Sequence, residues 1–297
     1  MTATETTGLR FRQDYFSDPA AWAALVSLLD DTFGIDIDPL RELGGADPTS
    51  MPFGWFTEAG VLAANLSAFA MPFVLNGRLI DAAALQSGAV RPPWRGRGLY
   101  RDVTRKALDW CEAQGFEAVI LYTDKPALYE PYGFRSLPLH KYAGPAPVPA
   151  ASTASRPLQP RDADDLALLQ DLLNNRTPVS ETLAVANSPA MFLINTQFDP
   201  AIRLNYLEKS KAVVAWKMPV SGHFVLLDVV ASEIPSLAAI LAGLNVQAAT
   251  VETLFRPDRF GWSGEALAYE SGTRLMLRGL EEVNLDHPAM LSPMADF

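Results

Sequence analysis

At 297 residues, 49% of them hydrophobic and 20% charged, the chain is long enough for two domains of about 150 residues and apolar enough to bury a core, which excludes a disordered protein. A formal charge of −10 excludes a general nucleic-acid binder, which needs a broad basic face. A single cysteine, Cys111, excludes an intramolecular disulfide and a cysteine metal cluster.

The first residues, "MTATETTGLRFRQDYF", lack a basic region followed by an apolar run, and no window reaches the roughly 18 apolar residues of a membrane span. The expectation is a cytoplasmic protein without a membrane partner. "SDPAAWAALVSLLDDTFG" (17–34) predicts a first helix, with a capping Ser17 or Asp18, Pro19 near the first helical position, and apolar Trp22, Leu25, Val26 and Leu29 on one face. The apolar runs 60–75 and 77–90 meet at Asn76-Gly77, a dipeptide suited to a tight hairpin, and predict adjacent antiparallel strands.

"VRPPWRGRGLY" (90–100) follows, then a helical pattern from Leu99 to Gln114 closed by Gly115, then the strand "FEAVILYT". The apolar stripe Leu99, Val103, Ala107, Trp110/Cys111 makes Cys111 a packing residue. Strand, glycine-rich turn, helix and strand form a βαβ order, which sets the turn at the carboxyl end of a strand and the amino end of a helix. "PALYEPYGF" (126–134) is a short helical segment leading into the strand "FRSLPLHKY".

Pro, Ala and Ser replace this periodicity over 144–160, which reads as a linker between a domain of residues 1–143 and another of 161–297. The second half repeats the order loosely. A capped helix carries Leu166, Leu169, Leu172 and Leu173; two strands lie in 203–218 and another in "HFVLLDVVA"; the helix "SEIPSLAAILAGL" precedes the strand "ATVETLF"; and "FRPDRFGW" stands where "YEPYGF" stood. An internal duplication accounts for this order.

Arg91, Arg95, Arg97, Arg101, Arg105 and Lys106, opposed by Asp102, surround Gly96 and Gly98 at the predicted helix start. Glycine permits close approach of the main chain, and a helix start favours an anion. The same residues also fit a solvated basic helix start. A nucleoside-triphosphate loop is excluded because no Gly-Lys-Ser/Thr is present, and a dinucleotide fingerprint fails at Arg101, where its third glycine should stand.

Arg95-Gly96-Arg97-Gly98-Leu99-Tyr100, preceded by "AVRPPW" and followed about thirty residues later by "ALYEPYGF", resembles the pyrophosphate loop and "LYxxxGF" segment of the GNAT acyl-CoA-dependent N-acetyltransferases. "ANLSAFAMPFVLNGR" and "RGRGLYR" look closest to the Eis-like branch, which tolerates a residue as large as Tyr100 at the last motif position. The resemblance covers residues 8–143 well and the second half more weakly. It implies an α/β (α+β) fold of two GNAT-like domains, each a mixed, mostly antiparallel twisted sheet flanked by helices.

What the resemblance implies for the site follows residue by residue. Backbone groups of Gly88, Ala89 and Val90 would meet the pantetheine arm of acetyl-CoA, the co-substrate. The N–H groups of Arg95, Gly96, Arg97, Gly98, Leu99 and Tyr100 would bind its pyrophosphate, and Tyr129 would protonate the leaving sulfur. A primary amine attacks directly, and no metal is required. Tyr132 reads as a packing or rim residue. The base stays open between Glu58, Asp124 and a water relay. His140, His223 and His287 lack ligand spacing and read as structural or surface residues. Phe33, Phe53, Trp55 and Phe56 either line the substrate entrance or fill the core. In the second half, Ala231–Ser236 lacks both glycine and arginine, so the expectation is a degenerate domain without a coenzyme loop. Monomer and homodimer both fit, and a non-catalytic acyl-CoA-binding protein or an assembly scaffold is the alternative function.

Overall fold

Asp18 starts the first helix by accepting hydrogen bonds from the amides of Ala20 and Ala21, and Gly34, in the left-handed conformation, ends it by returning its N–H to Asp30. The structure is a computed structural model and describes residues 8–150, 154–280 and 283–297, so residues 151–153 of the expected linker and the first seven residues lie outside it. In chain order, the first half contains β1 (Leu9–Gln13), α1 (Pro19–Phe33), β2 (Met51–Thr57), β3 (Leu62–Ala70), β4 (Phe73–Leu75), β5 (Arg78–Ile80), β6 (Ala82–Val90), α2 (Leu99–Gln114), β7 (Ala118–Thr123), β8 (Arg135–Ser136) and β9 (His140–Pro145). The second half contains β10 (Ser155–Pro157), α3 (Ala163–Asn174), β11 (Leu183–Val185), α4 (Pro189–Phe198), β12 (Arg203–Leu207), β13 (Ala212–Val220), β14 (His223–Val230), α5 (Leu237–Leu244), β15 (Thr250–Thr253), β16 (Glu265–Ala268) and β17 (Arg274–Arg278).

These strands form two seven-stranded mixed sheets and one small ribbon. The first sheet runs β1-β2-β3-β6-β7-β17-β8 and the second β10-β12-β13-β14-β15-β9-β16. Position by position the orders correspond, and each sheet contains one parallel pair at the same place, β6 with β7 and β14 with β15. This is the mixed, mostly antiparallel architecture that the resemblance implies.

The sixth position of each sheet is filled from the other half of the chain. Strand β17 lies between β7 and β8, pairing Arg274 with Thr123 and Leu277 with Arg135. Strand β9 lies between β15 and β16, pairing Tyr142 with both Thr253 and Ala266. The run 134–142, expected as one strand, is divided so that β8 stays in the first sheet and β9 crosses to the second.

The two apolar runs around Asn76-Gly77 are also each divided. Strands β3 and β6 pair antiparallel, as expected, but their ends peel away as β4 and β5. Asn76 and Gly77, with φ of 49° and 78°, turn β4 into β5, and β11 adds a third strand to this ribbon. Helix α2 lays Val103, Ala107 and Cys111 on one face of the first sheet, and burial pushes the Cys111 thiol up to about 12, as suits an inert packing residue. Helix α1 buries Trp22, Leu25 and Leu29 in a separate, larger core, and each such side chain contributes about 1.5–3 kcal/mol of apolar burial.

Because each half lacks one interior strand of its own sheet, residues 8–150 and 154–297 expressed separately should each be insoluble or unfolded. Expressed together from two genes, they should copurify with native circular dichroism. A soluble, folded first half alone would contradict the role given to β17.

Candidate active site

The site begins with a backbone irregularity. Between Asn65↔Ala89 and Ser67↔Gln86, the two residues Ser87 and Gly88 of β6 oppose the single residue Leu66 of β3. Ser87 takes φ of 59°, which makes this a β-bulge. Its carbonyl accepts a 2.8 Å hydrogen bond from the fully buried Asn65 amide nitrogen, and the Tyr15 hydroxyl donates to the oxygen of that same amide. Pairing between β6 and β7 stops at Leu85 and Leu121, before the bulge. Beyond that point the two strands have separate partners, β3 for one and β17 for the other, leaving a fork between them.

The loop after β6 enters helix α2 through Gly96 and Gly98, both left-handed with φ of 77° and 78°. Helix geometry gives the Leu99 and Tyr100 amides no carbonyl one turn back. Of the basic cluster, Arg91 is committed to structure. Its guanidinium pairs with Asp31, donates to Ser27 at 2.9 Å and to the Leu62 carbonyl at 3.0 Å, and so ties the loop to α1. Arg95 and Arg97 donate to the carbonyls of Val90 and Pro93, bracing the loop with their own charge still at its surface. Lys106 pairs with Asp102 and lies over the Phe11 ring, away from the loop.

Tyr100 explains how a large residue is accommodated at the start of this helix. Its ring turns inward, so that a Cβ on Gly88 would collide with its hydroxyl, and that hydroxyl hydrogen-bonds to the hydroxyl of Tyr129. Tyr129 is 6% exposed and stands in the turn between β7 and β8. Burial raises its phenol above the ordinary tyrosine value, and the Tyr100 hydrogen bond lowers it only in part.

Gly88, Ala89, Val90, Arg95, Tyr100 and Tyr129 border one cavity of about 840 Å³. Asp124 also borders it, whereas Glu58 sits on the exposed β2–β3 turn and does not. Tyr132 donates its backbone N–H to the Tyr129 carbonyl and packs against the α2 core. Of the four aromatics considered for the entrance, Phe33 reaches the cavity. Phe53 and Phe56 are buried in the core, and the Trp55 indole donates to Asp102 at 2.9 Å, because alternate residues of β2 face the two covered sides of the sheet. His140 and His223 are half-buried and His287 is exposed, and no group of three metal-ligating side chains occurs among the described residues.

Several cavity residues carry no signal in the amino-acid pattern. Helix α4 supplies Met191, Ile194, Asn195 and Phe198, and the end of the described chain supplies Asp296 and Phe297. The Phe297 ring packs edge-on against Phe69 and Tyr122, at centroid distances of 5.9 and 5.4 Å. Asp296 meets solvent through the cavity but is crowded by protein, and that crowding raises its carboxyl above the ordinary carboxylate value. This tail is held from the second sheet: Ser292 Oγ lies 2.9 Å from both the Leu227 carbonyl and the Asp228 carboxylate, and Arg176 grips Asp228 with two nitrogens, at 3.2 and 2.5 Å.

At the equivalent place in the second sheet, two amides are used internally. Leu237 donates to the Phe260 carbonyl and Ala239 to the Ser236 hydroxyl that caps α5.

Residues 22–137 match the family model described as an acetyltransferase (GNAT) domain. Among solved structures, the chain is similar to GCN5-related N-acetyltransferases from Kribbella flavida (17% identity, TM-score 0.58, covering 94% of this chain and 73% of that one) and Anabaena variabilis (15%, 0.58, 91% and 72%). It is similar also to Eis1 from Mycobacterium abscessus (16%, 0.59, 91% and 72%). At these identities the likeness is one of fold. None of the curated proteins matches the chain in sequence.

Replacing Asn65 by Leu should strand the Ser87 carbonyl and the Tyr15 hydroxyl, at a cost of about 1–3 kcal/mol for each buried group left unpaired. Urea unfolding would show the loss of stability.

Proposed function

From the match of residues 22–137 to the GNAT acetyltransferase domain, we propose that the chain transfers an acetyl group from acetyl-CoA to a primary amine, using one site per chain. Supporting this reading is the convergence, in one cavity, of the bulged strand end, the two ends of the glycine-arginine loop at Arg95 and Tyr100, and a buried tyrosine hydroxyl; Gly96, Arg97, Gly98 and Leu99 lie outside the cavity lining. The backbone of Gly88, Ala89 and Val90 beside the fork suits an extended pantetheine arm. The amides of Gly96, Arg97, Gly98, Leu99 and Tyr100, at a helix start with arginines around it, suit a diphosphate, whereas the Arg95 amide, expected to join them, already donates to the Pro92 carbonyl at 3.2 Å. In the second sheet two amides of the corresponding helix start, those of Leu237 and Ala239, are already bonded, and we assign that half no coenzyme site.

Acetyl-CoA supplies a thioester whose carbonyl the amine attacks and whose sulfur leaves. Counted from the free amine, nitrogen gives up one proton and sulfur gains one; an ammonium substrate first releases one further proton to solvent. Tyr129 donates the proton to sulfur, and the Tyr100 hydroxyl holds the Tyr129 phenol in place through their hydrogen bond. The proton released from nitrogen passes to a cavity carboxylate or to water. Asp124 and Asp296 have cavity frontage and Glu58 has none, which removes Glu58 from this role.

Tyr129→Phe should lower turnover about 100-fold or more while leaving acetyl-CoA affinity nearly unchanged. The active form of Tyr129 is protonated and burial raises its pKa above 10. The wild-type rate should therefore hold through neutral pH and fall only above pH 10, as the proton is lost, and Tyr129→Phe should lack this alkaline fall. Steady-state kinetics across pH tests both, and wild-type turnover in the variant would remove Tyr129 from the chemistry.

Gly98→Asp adds a negative charge and a side chain at a left-handed position of the loop. It should abolish the thermal stabilisation by acetyl-CoA, which in the wild type amounts to about 2.7 kcal/mol at a hundredfold excess over Kd, while circular dichroism stays native. Equal stabilisation of both proteins would place the coenzyme elsewhere.

A further inference from the structure

Apolar surface left in water is unfavourable, and contiguous patches of it mark binding sites. Nine large apolar residues are exposed among the described residues, and four of them border the Tyr129 cavity: Phe33 at 51%, Ile35 at 37%, Leu128 at 49% and Phe198 at 45%. Below this rim, Leu25 and Leu29 of α1 and Met191 and Ile194 of α4 continue the apolar wall.

The one side-chain amide of that wall is engaged. The Asn195 side-chain nitrogen lies 2.9, 3.4 and 2.8 Å from the carbonyl oxygens of Met191, Met294 and Asp296, so its donors are taken by the protein itself. Three carboxylates, Asp47, Asp124 and Asp296, border the same space, against Arg95 and Lys125. Lys125 is paired with Asp124 at 3.5 Å, and Arg95 donates to the Val90 carbonyl. The cavity thus combines an apolar wall from α1 and α4 with acidic groups, of which Asp124 acts on the Tyr129 phenol.

Resting on the acetyl-transfer reading, we propose that the acceptor is a primary amine on an apolar body, an arylalkyl or alkyl amine. Its hydrocarbon part lies between α1 and α4 and its amino group faces the carboxylates and Tyr129. A polyhydroxylated or polycationic amine would have to lodge its further polar groups against the apolar α1–α4 wall, away from the carboxylates. An apolar amine would instead cover the exposed rim.

The test is a comparison of kcat/KM for 2-phenylethylamine and octylamine with that for glucosamine and spermidine, together with calorimetric titration of acetyl-CoA on the same sample. The expected result is that acetyl-CoA binds and both apolar amines are preferred by about 10-fold or more. In Phe33→Ser/Phe198→Ser, built at two exposed positions to spare the fold, that preference should fall several-fold while acetyl-CoA binding is retained.

A preference for glucosamine or spermidine would overturn the proposed amine class and leave the acetyl-transfer reading standing. So would acetyl-CoA binding with no small amine acetylated, the result expected if the rim docks a protein instead. An unchanged preference in the double variant would overturn the assignment of the rim. Absence of acetyl-CoA binding would overturn the underlying reading itself.

Discussion

One buried amide holds the site open. The bulge at Ser87 and Gly88 removes a carbonyl from the β3–β6 ladder, and a carbonyl buried without a partner would cost enough to iron the bulge out. Asn65 supplies the missing donor, and Tyr15 satisfies Asn65 in turn. Because the bulge persists, β6 leaves β7 after four paired residues, and the fork, the inward turn of Tyr100 and its bond to Tyr129 all follow. Gly88 belongs to the same constraint, since any side chain there would displace Tyr100.

The second sheet contributes to the site by holding the tail. Arg176 and Asp228 are 6% and 1% exposed, and a buried ion pair of this kind returns little net stability once its desolvation is counted. Its visible effect is positional: it orients Asp228 to meet Ser292, which fixes the tail that carries Asp296 and Phe297 to the cavity of the other sheet. A half whose own helix start is sealed by Ser236 and Phe260 thus supplies part of the wall across from Tyr129.

Local features of this arrangement were legible in the amino-acid pattern. Gly96 and Gly98 among arginines, the capped α1 and the Asn76-Gly77 turn each act through their own residues and immediate neighbours, and each occurs where its chemistry implies. The exchange of β9 and β17 was not legible, because "HKYAG" and "RLMLR" would alternate along a strand in either sheet and nothing within them names the partner. Helix α4 was missed for a different reason: Ala190 to Ile194 are all buried, so the helix has no polar face and no 3.6-residue rhythm. Asp296 and Phe297 owe their place to Ser292 and Asn195, contacts that span some 65 and 100 positions of the chain. Phe53 and Phe56 show the limit of reading aromatics as an entrance, since a strand covered on both sides buries whatever it carries.

The traded strands also restrict how a ligand gains admission. In proteins whose lobes are joined by a single thread, a cleft can gape by swinging one lobe about that thread. Here each lobe is stitched into the sheet of the other, one strand in from its edge, by main-chain bonds on both sides, so a swing of that kind would have to tear β9 or β17 from its neighbours. Admission is left to smaller movements at the rim, such as rotation of Phe33 or Phe198 and the swing of Tyr100 off its phenolic partner. The two lobes must also melt as one unit.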